Sequence, residues 1–212
     1  MARKQMFAEG TRNHILEVAT RLFFEKGFDC VSVRGLMKQV GADPGGFYYY
    51  FESKEALWEE VLQAFFSPYL KEADRLAEEA QERPYRALTR FFFYLQDCTQ
   101  SFRRELGDRI YPAARLSIRE RTLLLLEPYL ERILKSIIAH GAQPMMELPL
   151  LTVFLAHGIG SVILHQPSEW MESCGQELQD TVCRLLGLTE ASVREMHRLS
   201  GFNPARFPLE KA

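Results

Sequence analysis

The sequence predicts an all-α fold, with a small three-helix domain at the N-terminus and a larger helical domain after it. Three observations carry that reading. Apolar residues recur at helical spacing in segment after segment, as in Ile15, Val18, Ala19 and Leu22. No segment alternates apolar and polar residues as a half-buried strand does. The segments are separated by residues that start and stop helices, among them Gly27, Gly41, Ser53, Gly187 and Thr189. At 212 residues, 47% hydrophobic and 25% charged, the chain has a globular composition with ample material for a core. A net charge of −2 excludes a surface coated in positive charge but leaves room for a local basic patch.

Taken in order, the first helix is expected after Thr11 as N-cap, with Gly27 ending it in a left-handed conformation. Arg3 and Lys4 precede it, in a stretch that reads as a plain disordered tail before it reads as a basic arm reaching phosphate or a minor groove. A second helix starts at Ser32 and buries Leu36 and Met37 together with Val33 and Val40. Gly41-Ala42-Asp43-Pro44 is a tight turn, and Asp43 and Pro44 suit the start of a third, short helix over Gly45–Phe51. Phe47 and Phe51, four apart, point inward. Ser53 caps a fourth helix whose stripe is Leu57, Val61, Leu62 and Phe65, and Pro68 is expected to kink or interrupt it. From Pro84 the segments become long and apolar. Helices are expected over 85–102, over 103–118 with a break near Pro112, over 119–140, and over Leu148–His165. Another starts at Pro167-Ser168 and ends near Gly187. A last helix, Glu190–Leu199, precedes an irregular tail over 201–212. Leu148–His165 is short of the ~20 residues a bilayer span needs and contains Pro149 and His157, so a buried or interface helix is expected there.

The run from Val31 to Leu57 resembles the helix-turn-helix of the TetR family of transcriptional regulators. Its signature is a Gly-x-aromatic-Tyr-x-aromatic-Phe run followed by Ser-Lys-Glu-Ala-Leu, present here from Gly45 to Leu57. The resemblance covers roughly residues 10–65. It implies a DNA-binding domain over 1–54, a helical ligand-binding and dimerisation domain over 55–200, and a dimer on a palindromic operator.

The DNA-binding residues expected on that basis are Ser32, Arg34, Gly45, Gly46, Tyr48, Tyr49, Tyr50 and Lys54. Arg34 stands where a family member often reads guanine, and Tyr49 at the variable outward position of the recognition helix. Tyr48, Tyr50, Lys54 and Ser32 are expected on phosphate, which fixes register without reading sequence. Gly45 and Gly46 let the backbone approach closely, with N–H groups available to a phosphate. Gly46 departs from the Ser or Thr many members carry, and so lacks a hydroxyl contact. Phe91, Phe92, Tyr94, Cys98, Phe102 and Tyr111 are expected to line a pocket for an apolar or aromatic small molecule, with Phe93, Leu123, Met145 and Met146 as further candidate linings. The resemblance also places the dimer in the last long helices, where Ala156, Gly160 and Leu164 share a face. Ligand binding would favour a dimer geometry that no longer matches the operator.

Other functions find little support. His157 and His165 lie ~12 Å apart along a helix, too far for one metal ion, and the four cysteines lack zinc spacing. The cysteines are expected to be buried small hydrophobes. No nucleophile elbow, phosphate loop or paired-carboxylate motif is present, so neither catalysis nor a cofactor is expected. The polar first ten residues do not read as a secretory leader, which points to a cytoplasmic protein without a membrane partner. The alternative to a ligand-released repressor is a DNA-bound adaptor of the same fold, acting through a protein partner.

Overall fold

The computed structural model describes the backbone of residues 2–166 and 168–200, and side chains except those of 2–9, 108, 168–173, 197 and 199–200. The expected tail over 201–212 and the side chains of Arg3 and Lys4 lie outside the described residues. Nine α-helices are described and no strand. They are α1 (Ala2–Lys26), α2 (Val33–Val40), α3 (Phe47–Tyr50), α4 (Lys54–Glu79), α5 (Pro84–Leu106), α6 (Pro112–Ala139), α7 (Leu148–His165), α8 (Ser168–Leu185) and α9 (Glu190–Ser200). Single 3-10 turns, Pro44–Gly46 and Gly107–Arg109, lead towards α3 and α6.

The chain divides into two compact units: Met1–Ser67 with Leu106–Arg119, and Pro68–Glu105 with Glu120–Ala212. The expected boundary after residue 54 falls at the start of α4, whereas the division between units falls inside it. The insertion of 106–119 into the first unit is invisible to local sequence patterns. Tyr111 donates its N–H to the Phe24 carbonyl at 2.7 Å, and Ile110, Ala114 and Ile118 are buried.

The first unit is built on α1. Ile15, Val18, Ala19 and Leu22 are buried as their spacing predicts, joined by Phe23 and Phe24. Trp58 of α4 meets Phe23 edge-on at 5.5 Å and lies 5.9 Å from Phe28. Such aromatic pairs add directional stabilisation to the area they bury. The helix starts at Ala2 rather than after Thr11. Ala, Arg, Lys, Gln, Met and Glu dominate residues 2–9, and none opposes helix formation. Gly27 ends the helix at φ +86, the left-handed conformation expected of it.

In the second unit, α4–α9 enclose a core that includes Leu76, Leu88, Leu130, Ile133, Leu134, Leu151 and Leu155. Glu79 of α4 is gripped by Arg90 at 2.9 Å and Arg86 at 3.3 Å, both from α5. Neither Pro68 nor Pro128 interrupts its helix. Both prolines are exposed, so water can satisfy the carbonyl that each leaves without a partner. Pro112 instead opens α6, where its missing N–H removes nothing.

Candidate nucleic-acid interface

The helix-turn-helix is held by short-range capping and by two phenylalanines. Ser32 caps α2, its Oγ accepting the Gly35 N–H at 3.1 Å. Gly41 closes α2 at φ +79. Asp43 then caps the next turn. Its Oδ2 accepts the Gly45 N–H at 2.8 Å, and its carbonyl accepts the Gly46 N–H at 3.0 Å. Behind this head, Phe47 and Phe51 are buried 5.7 Å apart. Ser53 Oγ accepts the Ala56 N–H at 3.0 Å and starts α4.

That scaffold pushes two aromatic side chains outward. Tyr48 is 66% exposed and Tyr49 78%. Leaving two large rings this bare in a unit rich in buried aromatics is what a contact surface requires. Each ring is steadied edge-on by a neighbour, Tyr48 by Phe47 at 5.2 Å and Tyr49 by the half-buried Tyr50 at 4.9 Å. Arg34 and Lys38 are exposed on α2, as is Ser32 at its head. The geometry therefore offers hydroxyls, ring faces and a guanidinium.

Three expected roles change. The N–H groups of Gly45 and Gly46 are both satisfied by Asp43 and do not point at a phosphate as donors. Gly46 has an ordinary helical backbone, φ −69 and ψ −16, and nothing within 4 Å of where a Cβ would stand. Its own unit does not require glycine there. Lys54 does not extend to solvent: its Nζ donates to the Phe28 carbonyl at 3.0 Å and the Val31 carbonyl at 3.1 Å, and lies 4.1 Å from the Phe28 ring centroid. It braces the loop between α1 and α2. Arg12, which the sequence reading left unassigned, spans α1 and α4. Its guanidinium reaches both Glu60 oxygens, at 2.7 and 2.6 Å, and sits 4.8 Å from the Phe51 ring centroid.

The residues expected to bind ligand fall in both units. Phe91, Phe92, Tyr94, Cys98 and Phe102 all lie on α5 in the second unit, with Phe91 buried and the others half-buried. Burial pushes the Cys98 thiol up to about 12 and raises the Tyr94 and Tyr69 hydroxyls well above their ordinary value. Burial and nearby carboxylates keep these groups protonated at neutral pH. Tyr111 belongs to the first unit, where its ring covers Gly27: a Cβ on Gly27 would come within 2.6 Å of it. It covers the end of α1 within that unit.

The expected dimer residues also move. Ala156, Gly160 and Leu164 are buried in their own unit, and a Cβ on Gly160 would stand 2.7 Å from Leu123. The exposed apolar side of α7 is the other one, Leu150, Val153 and Phe154. By length and composition α7 is also apolar enough to cross a membrane, although part of it is buried in the core. Cys30 is exposed, contrary to expectation, while Cys183 is buried. Among the described residues no His, Cys, Asp or Glu cluster could hold a metal ion.

Comparison with known proteins bears on this geometry directly. Residues 15–61 match the family model for bacterial regulatory proteins of the tetR family. The repressor DhaR of Mycobacterium sp. (strain GP1) is 36% identical over 81 residues, covering 38% of this chain and 41% of DhaR. The regulator AcrR of Shigella flexneri is 40% identical over 64 residues, 30% of each chain. The matches thus span less than half the length of these relatives. Over the whole fold, the crystal structure of RolR with resorcinol superposes with a TM-score of 0.56 at 22% identity, covering 100% of this chain and 99% of RolR. The matched segment coincides with the capped, tyrosine-bearing helix-turn-helix, so over residues 15–61 the chain carries the DNA-binding domain described by the tetR family model.

Proposed function

We propose that this chain is a cytoplasmic repressor that binds a palindromic DNA operator as a homodimer and is released by a small, mostly apolar or aromatic ligand. The observation that carries the reading is the pair of exposed tyrosines, Tyr48 and Tyr49, raised on a rigid Phe47–Phe51 base beside the exposed Arg34. A recognition helix so placed lays its N-terminal part against base edges in the major groove. Arg34 would pair with guanine, Tyr49 would meet a thymine methyl or a base edge, and Tyr48, Tyr50 and Ser32 would hold the backbone.

One such module reads a single half-site, and two-fold pairing supplies the remaining specificity. The exposed Leu150, Val153 and Phe154 of α7 are the surface we assign to that pairing. An apolar helix face left open to water gains by being covered. The hydroxyl and thiol cluster of Tyr69, Tyr94 and Cys98 supports a ligand with an apolar body and a neutral polar group.

Selection of bound duplexes from a random pool, with light scattering on the protein, tests the reading. The expected outcome is an enriched palindrome and a dimeric mass. A pool without enrichment would overturn the DNA-binding reading, and a monomer at micromolar concentration would overturn the pairing. Resorcinol, the ligand of RolR, is a suitable first probe in a thermal-shift screen, because operator release by a stabilising compound is the expected signature.

A further inference from the structure

We propose that Asp43 reads a base: its carboxylate accepts a hydrogen bond from the exocyclic amino group of a cytosine in each operator half-site and rejects guanine there. The proposal rests on the DNA-binding reading above and specifies one contact within it. Asp43 is exposed at the head of the recognition segment, the part that meets base edges when such a segment enters the major groove. Its Oδ2 is pinned by the Gly45 N–H at 2.8 Å, which fixes the direction of the side chain. An ionised carboxylate has about four lone-pair sites, so one internal bond leaves acceptor capacity outward.

The glycine at position 45 makes this arrangement possible. A Cβ at position 45 would stand 2.8 Å from Asp43 Oδ2 and push the carboxylate away. A Cβ at position 46 would meet nothing within 4 Å, so the constraint lies at Gly45. The Gly45 and Gly46 N–H groups are both satisfied by Asp43 itself, so neither is free to meet a phosphate. What Asp43 presents is an acceptor. In the major groove the cytosine N4 amino group is the matching donor for an Asp or Glu, whereas guanine shows two acceptors that repel a carboxylate.

The test is to select duplexes with the wild-type protein and with Asp43→Asn and Asp43→Ser, both of which retain an N-capping oxygen. Thermal denaturation confirms that each variant is folded. The wild type is expected to enrich cytosine at one position of each half-site, and replacing that base is expected to weaken binding ~5- to 150-fold, the range of a good base-edge contact. Both variants are expected to lose the preference at that position alone and to bind scrambled duplex several-fold more tightly, a negative charge having left the interface. Gly45→Ala, which displaces the carboxylate without removing it, is expected to blur the same position. An enriched site whose base preferences are identical in wild type and both Asp43 variants would overturn the proposal while leaving the DNA-binding reading intact. A wild-type pool without enrichment would overturn both.

Discussion

Replacing Lys54 by methionine separates two roles that predict opposite measurements. If the side chain braces the loop between α1 and α2, its removal lowers stability. If it contacts phosphate, its removal lowers affinity and the salt dependence of binding. The structure favours the brace. Nζ donates to two main-chain carbonyls at 3.0 and 3.1 Å, and the ammonium lies 4.1 Å from the Phe28 ring centroid. Two hydrogen bonds from a charged donor contribute roughly 1.5 kcal/mol each at the lower end of their range. The ring adds about 0.5–1 kcal/mol, and ordering the lysine costs up to ~2 kcal/mol. About 2 kcal/mol remains. In a chain of this length each kcal/mol moves the melting temperature by about 2–4 °C, so Lys54→Met is expected to lower Tm by roughly 4–8 °C. Calorimetry or circular dichroism reads this directly, and filter binding across a salt series reads the other role. An unchanged Tm with a slope of log K against log salt shallower by ~0.9 per lost phosphate contact would refute the brace.

Gly27→Ala is expected to destabilise the first unit by more than ~1 kcal/mol, since a side chain at φ +86 is strained and would also strike Tyr111. Adding Tyr111→Ala should relieve the collision but not the strain, and urea denaturation of the four proteins resolves the two parts. Phe154→Glu, at a position 51% exposed on α7, is expected to leave the fold intact and yield a monomer by light scattering; a persistent dimer would move the pairing surface elsewhere. A thiol reagent at pH 8 is expected to react first at the exposed Cys30, and Cys30→Ser should abolish that fast phase, while Cys98 stays protected. Burial raises the folded-state thiol of Cys98 above the ordinary value of 9.0 to about 12. Its contribution to stability is therefore complete below about pH 9 and is lost as pH rises towards about 12, where the unfolded chain ionises first. The stability gap between wild type and Cys98→Ala should narrow across that window.

The parts of the site that were legible in the sequence are those that depend on nearby residues. Ser32, Asp43 and Ser53 each cap a backbone N–H two or three residues ahead, and Phe47 and Phe51 share an inward face by spacing alone. Tyr111 was illegible for the opposite reason: its structural partner is Gly27, far away in the chain. Lys54 misled because a lysine beside a recognition helix suggests phosphate, and nothing in local sequence shows that two loop carbonyls lie within its reach. On α7 the failure was one of symmetry. Apolar residues surround the helix, so periodicity cannot choose a buried side, and the small residues Ala156 and Gly160 face Leu123 and the core rather than a second copy. Pro68 and Pro128 sit inside continuous helices at exposed positions, where solvent can replace the lost hydrogen bond.

The charge left for DNA constrains how such a protein would work. Residues 10–67 hold six Lys and Arg against eight Asp and Glu. Two of the six cations have internal partners, Arg12 on Glu60 and Lys54 on the loop carbonyls. Arg21, Lys26, Arg34 and Lys38 remain exposed, and Arg34 is assigned to a base. Three cations per protomer could then release counterions, six in a dimer, which bounds the salt slope from this segment at about −5. On the proposed reading, base contacts and the spacing of two half-sites would supply the rest of the affinity and the specificity. If the chain acts as the proposed dimer, a change in dimer geometry would remove the share of affinity that depends on half-site spacing. A measured slope clearly steeper than −5 would place further cations on the DNA, with Arg3 and Lys4 ahead of residue 10 the first to examine by substitution.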